Sequence, residues 1–434
     1  MTMAAPIAGT VQWGGAWERS WGLILIAVAI ILVAASQPFA NGPPIRSDGY
    51  GYHAWTYAIL RGDLNFDGLP NDTYAFPETR PGYRWNVYPP GVALIRLPVM
   101  ALLVGDADRF GTPTPAEHAA AVTLSALALM ATAGLVYYTS RAAGAGHYSA
   151  NVACLAIVFG TGLFHYATYD CSYSHCWTAL GLTTLAALAA RSSLRAGRMS
   201  WFALFFLATW LMLVRNTNVF ALGLLGGSYV LLGPRHLGVS AQTAFRNTSW
   251  LAAGTVAGIA LQLALNTFAH GRFTVSSYQG ELFVWDRPMQ WSVLTSLPEH
   301  GLFVYYPVAV LLIAIPFAVR RLWPAAIAFA LLVAAYATLY GYWNMWNLGA
   351  SFGHRGFVDV LPLGAPLFAV ALDRLPKRSH RPIVLTTVLC VYVTINLMAG
   401  YWRGSLPFHE ITPEVYWGHL VGRNNLLVKA LDQI

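Results

Sequence analysis

Five acidic residues lie in one polar, aromatic segment of a chain that is otherwise apolar. The segment runs from about residue 41 to residue 88 and begins Ile45-Arg46-Ser47-Asp48-Gly49-Tyr50-Gly51-Tyr52-His53-Ala54-Trp55. Its acids make up more than a quarter of the 18 in the chain and are Asp48, Asp63, Asp67, Asp72 and Glu78. Carboxylates gathered in this way between apolar runs predict one wall of an active site.

The first of these carboxylates, Asp48, stands at the start of a predicted helix. Residues from about 49 to 60 place Tyr52, Trp55 and Thr56 on one helical face. That pattern is typical of a helix lying flat at the level of the lipid headgroups. At that boundary the Asp48 carboxylate could accept a proton from a sugar hydroxyl, as a general base does. The position is also an ordinary one for a helix N-cap, and the two roles are compatible.

A second acidic motif, Asp63-Leu64-Asn65-Phe66-Asp67-Gly68, matches the first half of a calcium-binding loop. The full pattern requires a Glu six residues after its Gly, and Tyr74 occupies that position. A turn rich in Asp, Asn and Gly is therefore the favoured interpretation. Asp63, Asn65 and Asp67 stay weak candidates for a cation site.

Two polar stretches later in the chain carry further ionisable groups. Asp170 ends one apolar run and His175 opens the next, with a short polar loop between them. These two groups are too few for a metal site, so a site role and plain loop polarity both stay open. Arg215 separates two other apolar runs. An arginine in such a place either faces protein, water or an anion, or extends to the headgroups.

The last candidate segment is Ser351-Phe352-Gly353-His354-Arg355-Gly356-Phe357-Val358-Asp359. Its small residues would let a ligand approach His354 and Arg355 closely, and arginine can bind phosphate through two parallel hydrogen bonds. The preceding loop carries four more charged residues, which could join the same site or pair with each other in solvent: Arg272, Glu281, Asp286 and Arg287.

Composition places these segments in a membrane protein. Of the 434 residues, 56% are hydrophobic and 10% are charged, against roughly 25% charged in soluble domains. Apolar runs of about 17–25 residues recur, each long enough to cross a hydrocarbon core of about 30 Å. Because backbone in lipid must satisfy its own hydrogen bonds, we predict an all-α integral membrane protein with a single polytopic domain, residues 1–434. The net charge of +8 resides in short loops, which indicates topology rather than nucleic-acid binding.

We predict about eleven transmembrane helices from the apolar runs. They lie near residues 20–37, 119–139, 148–167, 175–190, 199–214, 217–232, 249–269, 302–319, 322–341, 357–373 and 383–400. Residues 88–104 are short for a span, and Arg96 and Pro98 interrupt them. If this stretch crossed the membrane, the loops rich in Arg and Lys would face outwards, against the positive-inside rule. We therefore predict that it lies on the outer face or dips in and returns.

The predicted topology collects the polar segments on one side of the membrane. The N-terminus is cytoplasmic, residues 41–118 form a first outer loop with interfacial helices, and residues 401–434 form an outer tail. The loops that carry Asp170, Arg215 and Arg355 share that outer face. Polar groups that converge on one face predict a catalytic or binding chamber on the periplasmic or extracytoplasmic side of an inner or plasma membrane.

Taken together, these segments resemble the GT-C superfamily of membrane glycosyltransferases. The shared layout is one span followed by a long outer loop with an early acid and two interfacial helices. Ser47-Asp48-Gly49-Tyr50 sits where that family keeps its catalytic Asp. Gly62-Asp63-Leu64-Asn65-Phe66 and Tyr88-Pro89-Pro90-Gly91 look like the family's end of one interfacial helix and start of the next. Asp170 resembles a second-loop acid, and the segment 351–359 is similar to one in bacterial members.

The resemblance implies a sugar transfer with inversion from a polyprenyl-phosphate donor to an acceptor hydroxyl. By this analogy Asp48 is the general base and Asp170 a second catalytic acid that orients the acceptor. The leaving phosphate would be bound by Arg355, together with His354, Arg215 and Arg272. The acceptor or sugar contacts would be Tyr50, Tyr52, His53 and His175. Implied partners are a polyprenyl-phosphate-linked sugar, membrane lipids and a glycan, lipid or protein acceptor. No cofactor is certain, and a divalent cation is possible.

Two other function classes compete with this interpretation. A non-enzymatic lipid or solute transporter would place charged groups near the bilayer midplane, whereas here they are predicted at the outer rim. The chain also shows no clear inverted repeat of the kind found in many transporters. A polymerase or ligase of lipid-linked glycans also works on outer-face substrates. Such enzymes depend on arginines in outer loops more than on an acid after the first span, so Asp48 discriminates between the two.

Overall fold

Helices dominate the computed structural model, which describes residues 16–36, 42–69, 75–104, 112–194, 201–276, 278 and 280–431. The first nine helices are α1 (Ala16–Ser36), α2 (Asp48–Arg61), α3 (Gly91–Leu103), α4 (Pro115–Ala142), α5 (His147–Gly160), α6 (Leu163–Thr168), α7 (His175–Leu194), α8 (Trp201–Val214) and α9 (Asn218–Leu232). The next nine are α10 (Ala241–His270), α11 (Ser292–Thr295), α12 (Leu302–Tyr305), α13 (Val308–Ala314), α14 (Trp323–Tyr342), α15 (Ala365–Arg374), α16 (Lys377–Trp402), α17 (Pro413–Leu420) and α18 (Leu426–Leu431). A short antiparallel hairpin joins β1 (Glu78–Arg80) to β2 (Tyr83–Arg84).

Within the described ranges, four helical segments are long and apolar enough to cross a membrane. They are α4, α10, α16 and the segment Arg320–Tyr342, which contains α14. Shorter apolar helices accompany them, including α3, α5 and α8. The chain is therefore an integral membrane protein with an all-α architecture, as the composition predicts. The number eleven for the spans stays a prediction.

Several predicted spans are interrupted in the structure. The run 148–167 consists of α5 and α6 with a break at Thr161 and Gly162. The run 357–373 begins with 3-10 turns and ends in α15, whose 10 residues rise only about 15 Å. Hydropathy does not distinguish such broken segments from straight helices. The predicted acid Asp72 lies outside the described residues.

Close backbone contacts at glycines bring neighbouring helices together. α8 packs against α10, and α4 packs against α7. On α10, Gly254 and Gly258 lie against the backbone of Phe205 and Thr209 on α8, where a Cβ atom would collide. Small residues four positions apart are a common device for helix approach in membranes, where burying apolar surface gives no advantage over lipid.

The disputed stretch 88–104 contains α3, which has one protein-facing side and one exposed side. Arg96 is on the protein-facing side, and its Nη2 donates to Ser125 Oγ at 2.8 Å and to the Cys171 carbonyl at 2.5 Å. Its 13 residues rise about 20 Å, less than the hydrocarbon thickness of about 30 Å. The prediction that this stretch does not cross the membrane stays a prediction, because α8 is only one residue longer.

Candidate active site

The proposed base, Asp48, is the first residue of α2 and follows a strained residue. Ser47 has φ 47° and ψ −135° and makes no capping hydrogen bond with its side chain. Non-glycine residues rarely adopt such angles, which cost on the order of 1–3 kcal/mol and persist only where the surroundings impose them. The start of α2 is thus held by contacts elsewhere, and Asp48 does not serve the ordinary N-cap position.

Both sides of α2 are packed inside the protein. A Cβ atom on Gly49 would overlap the Ser172 side chain, and one on Gly51 would overlap the Tyr88 ring. Asn86 Nδ2 donates to the Gly51 carbonyl at 2.6 Å. The sequence predicts a helix with one face on the membrane surface, but these two glycines let neighbours cover the second face as well. The helix is therefore fixed from two directions.

Asp48 forms an ion pair with Arg355. The Arg355 Nη1 and Asp48 Oδ2 atoms are 2.7 Å apart, and the side chains are 15% and 22% exposed. The Arg355 guanidinium also lies 5.5 Å from the centre of the Tyr173 ring. Burial alone would lower the pKa of Arg355, but Asp48 and nearby tyrosines raise it well above its ordinary value. The two residues predicted as base and phosphate ligand thus meet directly.

Asp170 uses both of its carboxylate oxygens within the protein. Oδ1 is 2.6 Å from Arg46 Nη2, and Oδ2 is 2.8 Å from His165 Nε2. The Trp402 indole N–H donates to His165 Nδ1 at 2.8 Å, so His165 Nε2 carries the proton that Asp170 accepts. Burial alone would raise the pKa of Asp170, but His165 and Arg46 lower it. With a residual exposure of 3%, Asp170 is a buried anion that is already paired.

Arg215 belongs to a second buried cluster. Its Nε lies 3.4 Å from Asp359 Oδ2, and its Nη2 donates to the Tyr340 hydroxyl at 3.3 Å. His175 Nδ1 lies 2.7 Å from Asp359 Oδ1. The Arg215 side chain is still 15% exposed. Asp359 thus anchors both Arg215 and His175, and part of the guanidinium stays accessible.

The buried Tyr52 side chain lies within electrostatic range of both cationic groups. Burial raises the pKa of its hydroxyl, and the positive charge of Arg215 opposes that rise. Asp48 and Arg355 also act on the same hydroxyl. Tyr340 links the two cations in space, because its ring lies against Gly356 and its hydroxyl accepts from Arg215. We call Asp48, Arg355, Tyr52 and Arg215 the Asp48 site.

Other predicted contact residues lie away from this site or serve other partners. His53 is buried, with Nε2 at 3.1 Å from Glu117 Oε1, the oxygen that also accepts from the Tyr57 hydroxyl at 2.7 Å. The buried His354 ring donates through Nε2 to the Trp346 carbonyl at 2.9 Å. The Tyr50 hydroxyl is buried and has no hydrogen-bond partner among the described residues.

Arg272 differs from the other predicted arginines because it is exposed. It follows α10 directly, and no ion pair joins it to any predicted site residue in the described part of the chain. The glycines near Arg355 also have a role other than the predicted one. Gly353 and Gly356 leave room for the Tyr306 and Tyr340 side chains, not for a ligand.

The weak cation candidates are engaged in a turn. Asp63 Oδ1 accepts from the Asn65 amide at 2.9 Å, and Asn65 Oδ1 accepts from the Asp67 amide at 3.1 Å. Asp63 and Asp67 also pair with Arg61 and Arg84. Across the described ranges, no group of three or more His, Cys, Asp or Glu side chains is placed to hold a metal ion. A divalent cation requirement stays a prediction.

Sequence reasoning missed the residues that hold the site groups in place. Arg46 pairs with Asp170, Asp359 anchors Arg215, and Glu117 binds His53. A signal was present in two cases. Arg46 stands two residues before Asp48, and Asp359 closes the segment that contains Arg355. Their partners lie 124 and 144 residues away in the chain, and a single sequence gives no information on such pairings.

The segments predicted to share one membrane face are in contact. Ion pairs connect the first outer loop to the loops of Asp170 and Arg355. Two predicted inner segments also meet, because the Gly146 amide and the Ser149 hydroxyl both donate to the Asp373 carboxylate. The loops of Asp48, Asp170 and Arg355 thus lie together, and the side of the membrane that they face stays a prediction.

No protein-family model matches the chain, and no curated protein sequence matches it. Solved structures of other proteins, however, superpose on this chain. An oligosaccharyltransferase from Archaeoglobus fulgidus superposes with a TM-score of 0.52 at 12% identity, over 92% of this chain and 57% of its own. ArnT from Cupriavidus metallidurans superposes with a TM-score of 0.50 at 15% identity, over 93% of this chain and 77% of its own. AglB from Archaeoglobus fulgidus, in complex with an inhibitory peptide and a dolichol-phosphate, gives a TM-score of 0.50 at 12% identity, over 96% and 60%.

These similarities define the fold class. The matched structures are GT-C glycosyltransferases, so the chain has the GT-C-like fold that the sequence predicts. The chain spans about three fifths of the archaeal oligosaccharyltransferase. At identities of 12–15%, the likeness concerns the fold, and the chemistry has to be argued from the Asp48 site.

Proposed function

We propose that this protein is a membrane glycosyltransferase that moves a sugar from a polyprenyl-phosphate donor to an acceptor hydroxyl. The observation that carries the proposal is the ion pair of Asp48 and Arg355, a carboxylate and a guanidinium 2.7 Å apart on a GT-C fold. One group can take a proton and the other can stabilise a phosphate. Dolichol-phosphate is the ligand of AglB, which makes a lipid phosphate the donor class to test first.

The proposed reaction is a single displacement. Asp48 accepts the proton of the acceptor hydroxyl as its oxygen attacks the anomeric carbon. The bond from that carbon to the phosphate oxygen breaks, and polyprenyl phosphate leaves with the electron pair. Attack from the side opposite the leaving group inverts the anomeric configuration. The proton ends on Asp48 and passes to solvent.

Arg355 has to change partner in this scheme. In the structure its Nη1 is occupied by Asp48, so a donor phosphate has to displace the carboxylate. Phosphate offers several charged oxygens and accepts paired hydrogen bonds from one guanidinium. The exchange would leave Asp48 Oδ2 free to accept a proton. Donor binding would thus precede activation of the base.

Arg215 supplies the second positive charge of the proposed phosphate site. Asp359 holds it at Nε, and its side chain keeps 15% exposure. Tyr52, which interacts with Arg215, Asp48 and Arg355, would separate the phosphate end from the proton-accepting end. His175 positions Arg215 by direct contact, with its Nδ1 2.9 Å from Arg215 Nη1, and it also pairs with Asp359. It is not a direct sugar contact in this scheme.

The site is proposed to face the periplasmic or extracytoplasmic side, with a cytoplasmic N-terminus. The positive-inside distribution of Arg and Lys supports this orientation. Contacts among the predicted outer segments support a shared face for the loops of Asp48, Asp170 and Arg355. Residues 41–118 and 401–434 would then be the outer loop and the outer tail.

A binding and transfer assay on the purified protein in nanodiscs tests the proposal. Polyprenyl-phosphate hexoses and pentoses are combined with glycan, lipid and peptide acceptors, and released polyprenyl phosphate is measured. We expect Arg355→Met to weaken polyprenyl phosphate binding by about 10- to 100-fold, because a hydrogen bond to a charged group contributes about 1.5–3 kcal/mol. The matched variant Arg403→Met changes an exposed arginine and should bind normally. Equal affinities for both variants would exclude Arg355 from the phosphate site.

A further inference from the structure

Arg46 lies two residues before the proposed base, and both terminal nitrogens of its guanidinium group form hydrogen bonds. Its Nη2 is 2.6 Å from Asp170 Oδ1, and its Nη1 donates to the Gly42 carbonyl at 2.9 Å. The guanidinium also lies 4.5 Å from the centre of the Tyr169 ring. The side chain is 17% exposed. These contacts fix the backbone that leads into α2.

Asp170, the partner of Arg46, is itself held by a further hydrogen bond. Asp170 is buried, and its second oxygen accepts from His165 Nε2 at 2.8 Å. His165 is itself held by the Trp402 indole N–H at 2.8 Å. Both Asp170 oxygens are engaged and the residue is only 3% exposed, so an acceptor would have little access to this carboxylate.

The loop that carries Asp170 also makes a second contact with the segment before α2. The Ser172 hydroxyl donates to the Pro44 carbonyl at 2.9 Å. Between this contact and Asp48 stand Arg46 and the strained Ser47, whose carbonyl accepts from the Tyr50 amide at 2.9 Å. A residue with φ 47° keeps that conformation only while its neighbours are fixed. The ion pairs of Arg46 with Asp170 and of Asp48 with Arg355 flank it on either side.

We infer that Arg46 is a positioning residue for Asp48 and that Asp170 acts on the reaction through Arg46 rather than on the substrate. This inference rests on the proposed function, because it concerns the orientation of the proposed base. It assigns Asp170 a role different from the second catalytic acid that the sequence suggests. Loss of either partner would relax Ser47 and turn the Asp48 carboxylate away from its position at the start of α2.

Kinetics of three variants test this inference. Arg46→Met, Asp170→Asn and the double variant are compared with the wild type. Misplacing a catalytic group by about 1 Å can cost about 100-fold in rate, so we expect each single variant to lower kcat by about 10- to 100-fold. The acceptor KM should stay within about twofold, and the Kd for polyprenyl phosphate should not rise, because a displaced Asp48 carboxylate competes less for Arg355. The double variant should be no slower than the slower single variant, because both changes remove one contact.

A second measurement does not depend on catalysis. Hydrogen exchange of the peptide covering residues 44–55 should be faster in Arg46→Met and Asp170→Asn, with peptides that contact neither residue unchanged. Arg61→Met is the matched control, since Arg61 forms its ion pair with Asp63 at the opposite end of α2. In that variant, exchange at residues 44–55 and kcat should equal the wild-type values.

The outcomes separate this inference from the proposed function. Independent, multiplicative losses in kcat, or a raised acceptor KM for Asp170→Asn alone, would show that Asp170 contacts substrate and would overturn the inference. Unchanged exchange at residues 44–55 in both single variants would overturn it as well. If the wild type transfers no sugar while both variants show faster exchange, the proposed function fails and the structural role of Arg46 stands.

Discussion

Asp48→Asn should bind polyprenyl phosphate more tightly than the wild type even though it no longer transfers sugar. In the structure the Asp48 carboxylate occupies the Arg355 guanidinium, so donor phosphate and carboxylate compete for one cation. Asparagine has nearly the same shape and carries no charge. The substitution therefore weakens the competitor and leaves the proposed phosphate ligands in place.

The size of the effect follows from the ion pair. The Arg355 Nη1 to Asp48 Oδ2 distance is 2.7 Å, and the side chains are 15% and 22% exposed. A hydrogen bond to a charged group contributes about 1.5–3 kcal/mol, against about 0.5–1.5 kcal/mol between neutral groups. Asparagine keeps a neutral acceptor, so about 1–1.5 kcal/mol of competition disappears. That difference corresponds to a Kd about five- to tenfold lower.

Isothermal titration of polyprenyl phosphate into protein in nanodiscs measures this Kd directly. Arg355→Met should weaken binding, and Asp48→Asn in the Arg355→Met background should give no gain, because the contested cation is absent. Glu410→Gln removes a different, exposed carboxylate and serves as the matched control. An unchanged or higher Kd for Asp48→Asn would refute the competition and the exchange of partners at Arg355.

Three other results are expected. Gly49→Ala should lower both Tm and the transfer rate, because the methyl group would overlap Ser172 at a cost of about 1–3 kcal/mol. Gly134→Ala is the control, since a Cβ there has open space. Equal Tm values for the two variants would contradict the packing described for α2. Burial alone would raise the pKa of Asp170, but His165 and Arg46 lower it. The ionised carboxylate therefore stabilises the folded state at pH values above the unfolded pKa of about 4. That stability is lost as the pH falls through the folded pKa. Below about pH 4 the wild-type Tm should therefore fall more steeply than that of Asp170→Asn. Parallel profiles of Tm against pH would contradict the stabilising role of ionised Asp170. A reporter fused to the C-terminal tail should read as extracytoplasmic. A cytoplasmic signal would contradict the proposal that the tail lies on the same side of the membrane as the Asp48 loop.

The membrane architecture follows from the sequence because hydrophobicity and charge are local properties. The runs that contain α4, α10, α14 and α16 are predicted at the places where the structure has long apolar helices. The breaks within α5–α6 and before α15 are not predicted. A broken helix keeps its apolar composition, and its polar backbone groups are satisfied by contacts that are distant in sequence.

The candidate site was predictable in its central members and not in their partners. Asp48, Arg355 and Arg215 stand out because charged groups are rare in an apolar chain. The structure joins the first two in an ion pair, and Tyr340 contacts both Gly356 and the third. His53 and His354 carry the same kind of signal but serve Glu117 and a backbone carbonyl. Residue type alone does not separate a ligand contact from a buried structural hydrogen bond.

The transfer rate of Asp48→Asn tests the central claim most directly. Wild type, Asp48→Asn and Glu410→Gln are saturated with a polyprenyl-phosphate sugar that the wild type uses, and transfer to the acceptor is followed in a single turnover. Removal of a general base typically costs about 100- to 10,000-fold in rate. The account predicts a loss of that size for Asp48→Asn only, with donor still bound. Full transfer activity in Asp48→Asn would contradict it.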